Sequence, residues 1–287
     1  MLFRSGLARH LADVRLSHSA ATTPAHQSIY AMRSDLRMSE HLSGDDHHIL
    51  HGYSQIVYHL ADEVPIWCDA AVTAIHDEGT HCRVVLADGR QLLASHVIVT
   101  VPLTILKAQR IQFEPPLSAA KQTAIAALAM HDGLKVVLQF EAPFWPSDMS
   151  FLTLADPAPV WWTPHADLPF LMGLFTGDRA RTLRSMPDIV ATCVAHVAHA
   201  FGLPSAPTLV WSHVEDWNAN PWVGGAYSSV PVGAYGQREV LASPDGRLHF
   251  AGEATAIDGQ SASVHGALSS GWRAAQAIME ARTDELQ

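Results

Sequence analysis

The most constraining feature of the chain is residues 249–271, HFAGEATAIDGQSASVHGALSSG. Apolar strand formers run into Gly252, where the backbone is free to turn sharply or to approach a ligand closely. Glu253 follows at once, which places a carboxylate at the end of a strand, the edge where open α/β sheets bind ligands. A polar loop shaped by Asp258 and Gly259 leads to Ser261 or Ser263, either of which can cap a following helix. That helix opens on small residues (Gly266, Ala267, Ser269, Ser270, Gly271), so it can lie close to a sheet or a bound molecule. Its first-turn amides lack partners within the helix, and its dipole is positive at that end. The pattern alone reads equally as half of a cradle for an electron-rich ligand or as a surface strand–helix junction with a solvated glutamate.

The rest of the chain alternates strand and helix signals. Residues 1–43 are polar, weakly periodic and free of repeats, and read as irregular structure with some helix. Ser54 is a candidate cap for a helix carrying Ile56, Val57 and Leu60 on one face. AAVTAIHD, HCRVVLA and RQLLA read as a β-meander, with Asp88 and Gly89 at a hairpin turn. SHVIVTV, a nearly continuous β-branched run, suits a strand buried on both faces of a parallel sheet. Ser118 opens an Ala-rich helix, HDGLKVVLQFE is strand-like, residues 142–178 mix strand and loop, and PDIVATCVAHVAHAFG is an amphipathic helix stopped at Gly202. TLVWSHVEDW and RLHFAG are further strands, and the last helix covers about residues 262–281. Such a chain is of the mixed α/β class.

A formal net charge of −10 argues against nucleic-acid binding by bulk electrostatics. Cys68, Cys82 and Cys193 are too scattered for a disulfide framework or zinc knuckle. No segment approaches the ~18 successive apolar residues of a membrane span, and no export signal is visible, so a soluble, cytoplasmic protein is expected.

FAGEAT followed by SVHGALSSG resembles the C-terminal FAD-binding motif of the flavin-dependent amine oxidases, which include monoamine and polyamine oxidases and lysine-specific histone demethylases. The resemblance extends in order along residues 44–282, through GDDHHILHGYSQIVYHLAD, AAVTAI, SHVIVTVPLTILK, GLKVVLQFEAPFWP and DWNANPWVGGAYSSVPVG. It implies an incomplete Rossmann-like FAD-binding domain with an inserted substrate-binding domain. Residues 44–108 and 240–287 would belong to the first, residues 109–239 to the second, and residues 1–43 to a partial substrate-domain region.

The same resemblance implies roles for individual residues. Glu253, after Gly252, would bind the ribityl hydroxyls of FAD. The backbone of Val264, next to Ser263 at the helix start, would face the flavin C2 carbonyl. Val72 would contact adenine through its backbone, and Trp217 would lie by the flavin. Lys135 would hold a water near flavin N5; spacing alone lets it face solvent instead. Trp222 and Tyr227 would lie on the substrate side, with core packing as the alternative for each aromatic. Trp161 and Trp162 read as packing residues. The implied reaction is oxidation of an amine to an imine, polyamine-like amines being favoured, with O2 as acceptor and hydrogen peroxide released. No metal is implied: Asp45, Asp46, His47, His48 and His51 have a ligand-like spacing, but the family has its Asp-His pair without metal.

Three departures stand out. No two of the 18 glycines form the Gly-x-Gly turn that lays a dinucleotide pyrophosphate on a helix. The opening half of the cradle is therefore expected from an N-terminal segment or partner chain outside this sequence. Gln260 stands near the place of an aromatic that often stacks by the flavin. No cysteine sits beside the motif, so FAD would be bound non-covalently. The alternatives to an amine oxidase are a truncated or split flavoprotein, inactive alone, and a sister flavoenzyme such as a protoporphyrinogen oxidase.

Overall fold

Element boundaries fall where side chains can satisfy backbone groups that a helix or strand leaves open. The computed structural model describes residues 6–40, 49, 51–154, 160–165 and 167–284. Asp45, Asp46, His47 and His48 lie outside the described residues. The N-terminal part is helical: α1 (Gly6–Ala20), α2 (Ile29–Ser39) and α3 (Ser54–Leu60). A first group of strands follows, β1 (Val72–Asp77), β2 (Cys82–Leu86), β3 (Gln91–Ala94) and β4 (Val97–Val99). Then come α4 (Leu103–Lys107), β5 (Gln112–Glu114), α5 (Ala119–Ala127), β6 (Ala129–Met130), β7 (Gly133–Phe140), β8 (Phe151–Thr153), β9 (Val160–Trp162) and β10 (Phe170–Thr176). The chain continues with α6 (Gly177–Arg184), α7 (Ile189–Ala200), β11 (Leu209–Asp216), β12 (Ser228–Ser229), α8 (Gln237–Ala242), β13 (Leu248–Phe250) and α9 (Val264–Asp284).

The mixed α/β expectation holds. β3-β2-β1-β5 form one sheet, with β5 parallel to β1, and β11-β7-β10-β9-β8 form an antiparallel five-stranded sheet. Two short pairs join them, β12 with β6, and β13 parallel to β4. Ser118 caps α5 by accepting from the Lys121 amide, and Asp188 caps α7 by accepting from the Ala191 amide. At the end of α7, the Gly202 amide bonds to the His199 carbonyl and the Leu203 amide to the Ala198 carbonyl, closing the turn as the glycine predicted.

Three expectations need correction. Residues 6–20 and 29–39 are helices, so the N-terminal part holds far more helix than the irregular structure with some helix expected from the sequence. Their signal is weak because Leu11, Leu16, Ile29, Tyr30 and Leu36 are exposed, so no clean apolar stripe marks either helix. Ser54 is the first helical residue of α3, not its cap, and Val57 and Leu60 on the expected apolar face are exposed. β4 is not buried on both faces: Val99 is buried, Val97 and Ile98 only partly, because its sheet here is a two-stranded pair.

Two hydrophobic cores result. The first gathers Ile75, Val84, Leu86, Val99, Leu103, Ile111, Leu128, Leu241, Leu248 and Phe250 between the β1 sheet, the β4–β13 pair, α5 and α8. The second gathers alternate residues of β7 (Leu134, Val136, Leu138, Phe140) with Trp161, Leu171, Phe175, Leu183 and Val197. Each such fully buried side chain contributes about 1.5–3 kcal/mol. The period of two on β7 leaves Lys135, Val137 and Gln139 on the opposite, half-buried face. Among the described residues no helix is long and apolar enough to cross a membrane, and no group of three or more His, Cys, Asp or Glu is placed to hold a metal ion.

Candidate functional site

Ala251 extends the parallel pair through its amide, which donates to the Val99 carbonyl at 3.0 Å. Gly252 then adopts φ +120°, ψ 167°, a region barred to L side chains, and its amide donates to the Ser270 hydroxyl on α9 at 2.9 Å. Strand, turn and small-residue helix are thereby locked together, and Glu253 is aimed inward. The Glu253 carboxylate accepts from the Ser228 amide at 3.1 Å, from the Ser228 hydroxyl at 2.8 Å, and from the Ala262 amide. Burial pushes its carboxyl above the ordinary range, against the pull of the Ser228 bonds and the nearby Arg238 charge.

Ser263 caps α9: its hydroxyl accepts from the Gly266 amide at 3.1 Å and donates to the Gln260 carbonyl at 2.6 Å. Val264 and His265 lie exposed in the first turn, where amides have no intrahelical acceptor. Beside this helix, Glu253 borders a cavity of ≈ 230 Å³ whose lining includes Thr100, Pro102, Gly252, Thr255 and Ala267. These groups suit one part of FAD: a half-buried acceptor carboxylate for sugar-chain hydroxyls, and a positive helix end for an electron-rich ring edge. The cavity is too small for a whole dinucleotide.

Lys135 and Trp217 form a second group. The Lys135 ammonium lies 5.7 Å from the centre of the Trp162 ring, on the open face of the five-stranded sheet, opposite Leu174 and Glu215 on the neighbouring strands. Trp161, its neighbour, points to the core and is fully buried. Trp217 donates its amide to the Gly133 carbonyl at 3.2 Å, just ahead of Lys135. A charged cluster fixes this corner: Arg184 grips Asp216 with two bonds of 2.7 and 2.8 Å, bonds Asp132 at 2.8 Å, and reaches the Asn218 amide oxygen at 2.9 Å. Asn218 in turn accepts from the Gly133 amide at 2.9 Å.

The two groups are joined through one short pairing. Ser228 and Ser229 pair with Met130 and Ala129, and the Ala226 amide donates to the His131 carbonyl at 2.8 Å. Ser229 also shares a 2.7 Å hydrogen bond with His131 Nε2. Tyr227 is half-buried, its hydroxyl donating to the His18 carbonyl on α1, and burial raises its phenol well above the usual value. Trp222 is 62% exposed. Val72 opens β1 and packs on the first core, opposite Leu86. Sequence reasoning missed Ser228, although it stands in the quoted GAYSSVPVG segment, and it missed the Arg184 cluster, whose members are scattered over three segments.

A half-buried carboxylate at the carboxyl end of a parallel strand pair, facing a capped helix, fits an α/β architecture of the cofactor-binding type. Solved amine oxidases have the same fold. Cyclohexylamine oxidase from Brevibacterium oxydans IH-35A aligns over 98% of this chain and 66% of its own, with TM-score 0.80 and 21% identity. Putrescine oxidase bound to putrescine aligns over 80% and 53%, with TM-score 0.72 and 23% identity. The flavin containing amine oxidoreductase pattern matches residues 2–279, and the chain belongs to that family. Similar proteins include Histone demethylase-like protein A of Aspergillus fumigatus, 30% identical over 92% of this chain and 27% of its own length. Lysine-specific histone demethylase 2 of Homo sapiens is 31% identical over 74% and 28%, and Polyamine oxidase 4 of Oryza sativa subsp. japonica is 33% identical over 82% and 49%. The chain thus spans from about a quarter to about half the length of these curated relatives.

Proposed function

We propose that this chain forms the ribityl- and substrate-facing part of an FAD-dependent amine oxidase acting on a polyamine-like amine. The single observation that carries this reading is the half-buried Glu253 carboxylate, oriented by Ser228 beside the open start of α9. FAD, when bound, supplies the acceptor for the hydride that leaves the carbon beside the substrate nitrogen. O2 would take up the electrons and release hydrogen peroxide. Glu253 would accept hydrogen bonds from the ribityl hydroxyls, and the Val264 amide would stabilise charge on the flavin edge. Val72 would offer its backbone to adenine. Lys135, half-buried over Trp162, would hold a water near flavin N5. Trp217 would line the flavin side, and Trp222 and Tyr227 the substrate side. Residues 44–108 and 240–287 would form the flavin part and residues 109–239 the substrate part. Buried free thiols at Cys82 and Cys193 suit a reducing, cytoplasmic setting.

A second reading is favoured by one observation: β4 and β13 pair with each other and, among the described residues, with no further strand. In it, FAD is held only when another polypeptide segment brings the strand–turn–helix for the pyrophosphate and completes this sheet. One experiment separates the two. The chain is incubated with excess FAD, desalted, and read by visible absorption. Stoichiometric flavin, followed by amine-dependent peroxide release, supports the first reading. No retained flavin, with retention restored by a supplied dinucleotide-binding segment, selects the second. Flavin retained in neither case removes both.

A further inference from the structure

Lys121 is the most unusual charged residue of the fold. It sits on α5 and is 2% exposed. An ammonium in such a place needs strong partners. Its Nζ donates to the carbonyls of Val240 and Leu241, each at 2.9 Å, and to that of Ser243. Val240 and Leu241 lie in the last turn of α8 and Ser243 caps it, so all three sit at the negative end of that helix. The same ammonium lies 4.2 Å from the centre of the Phe250 ring. Phe250 is the last residue of β13, two positions before Gly252. Arg273 of α9 completes the arrangement: it donates to the Ala242 carbonyl at 2.7 Å, to the Phe250 carbonyl at 2.8 Å and to the Thr255 hydroxyl at 3.3 Å. Two cations thus bind the end of α8 to the strand and turn that present Glu253.

We propose that Lys121 is a positioning residue of the flavin cradle, its ammonium setting the place of Gly252 and Glu253 through the end of α8 and the Phe250 ring. The proposal rests on the FAD reading above. The charged groups that face Lys121 are Asp245, on the loop before β13, and Arg273, on α9; the faces it meets on α8 are backbone carbonyls. Burial lowers its value from 10.5 to about 8, with Arg273 adding to the fall and Asp245 opposing it. The charge is therefore present at neutral pH and lost just above. A neutral amine has two N–H donors for three carbonyls, and its attraction to the Phe250 ring is gone. The folded value lies below the unfolded one, so rising pH between about 8 and 10.5 favours the folded state as far as Lys121 is concerned. Titration of Lys121 itself therefore does not promote unfolding in that window.

The test compares the wild-type protein with Lys121→Arg and Lys121→Met. FAD dissociation constants are measured from pH 7.0 to 9.5, and amide exchange at Ala251, Gly252 and Thr255 is followed without FAD. The wild-type dissociation constant is expected to rise above pH 8, by up to about tenfold per pH unit. Lys121→Arg, charged throughout, should match wild type at pH 7 and stay flat. Lys121→Met should bind about tenfold more weakly at every pH, with faster exchange at the three amides. A flat wild-type profile, or Lys121→Met with wild-type affinity and exchange, overturns the role of Lys121 and leaves the FAD reading intact. FAD binding to none of the three, with or without a supplied dinucleotide-binding segment, removes the FAD reading and the flavin role of Lys121 together.

Discussion

Ser228 donates to Glu253 from both its amide and its hydroxyl, so one residue of β12 sets the direction of the half-buried carboxylate. Ser228→Ala should lose the hydroxyl bond alone and lower stability by about 1.5–3 kcal/mol, the range for bonds to charged groups. Glu253→Gln keeps an acceptor for the Ser228 amide and removes the charge. The folded carboxyl is raised, so the stability that its titration contributes is present at low pH and lost as pH rises through the folded value. Denaturant midpoints at pH 4.5 and 7.5 should show Glu253→Gln gaining on wild type at the higher pH. A wild-type advantage that grows with pH would contradict this.

Arg184 joins α6 to both ends of the Lys135 corner. Replacing it by Met strands two partly buried carboxylates, Asp132 and Asp216, and should lower stability by about 2 kcal/mol. Lys at this position keeps the charge and loses the two-pronged grip on Asp216, so it should recover only part of the loss. Urea denaturation of the three proteins checks the order; full recovery by Lys would reduce the cluster to simple charge.

Two glycines of α9 should respond in opposite directions to alanine. A Cβ on Gly266 would run into the Gln260 carbonyl and come within 2.7 Å of the Ala256 Cβ, so Gly266→Ala should destabilise by roughly 1–3 kcal/mol despite its better helix propensity. A Cβ on Gly271 would meet nothing within 4 Å, and Gly271→Ala should stabilise by about 0.5–1 kcal/mol. Thermal melts of the two variants decide; equal shifts would show that α9 packs otherwise.

Lys135→Met should leave the fold nearly untouched. Its contact with Trp162 is at a half-exposed surface, worth about 0.5–1 kcal/mol. In FAD-loaded enzyme, amine-driven flavin reduction should nevertheless slow if Lys135 holds the water proposed for it, since that water would lose its anchor. An unchanged reduction rate removes the proposed role of Lys135.

Local signals were legible in the sequence where a single side chain decides the backbone. Ser118 and Gly202 mark the start of α5 and the end of α7 because capping is a contact over three or four residues. The strand ending in Gly252 and the helix beginning at Val264 were legible for the same reason. α1 and α2 were not, because their exposed apolar residues erase the stripe by which an amphipathic helix is recognised. The partners of Glu253 and Lys121 lie 25 residues and more than 100 residues away, and no local pattern announces them. Nor did the spacing of Tyr227 reveal that its hydroxyl turns to α1, a contact that depends on tertiary packing alone.

The parallel pairing of Val97 with Leu248 has a temporal side. The two strands stand about 150 residues apart in the chain. At a synthesis rate of ~5–20 residues per second, the first emerges roughly 8–30 s before its partner exists. The antiparallel five-stranded sheet can assemble in that interval from β7 to β11, whereas β4 must wait with its edge open. The cradle can therefore form only after the second core, and a chain halted before residue 248 would carry a complete second core with neither the strand partner of β4 nor Glu253.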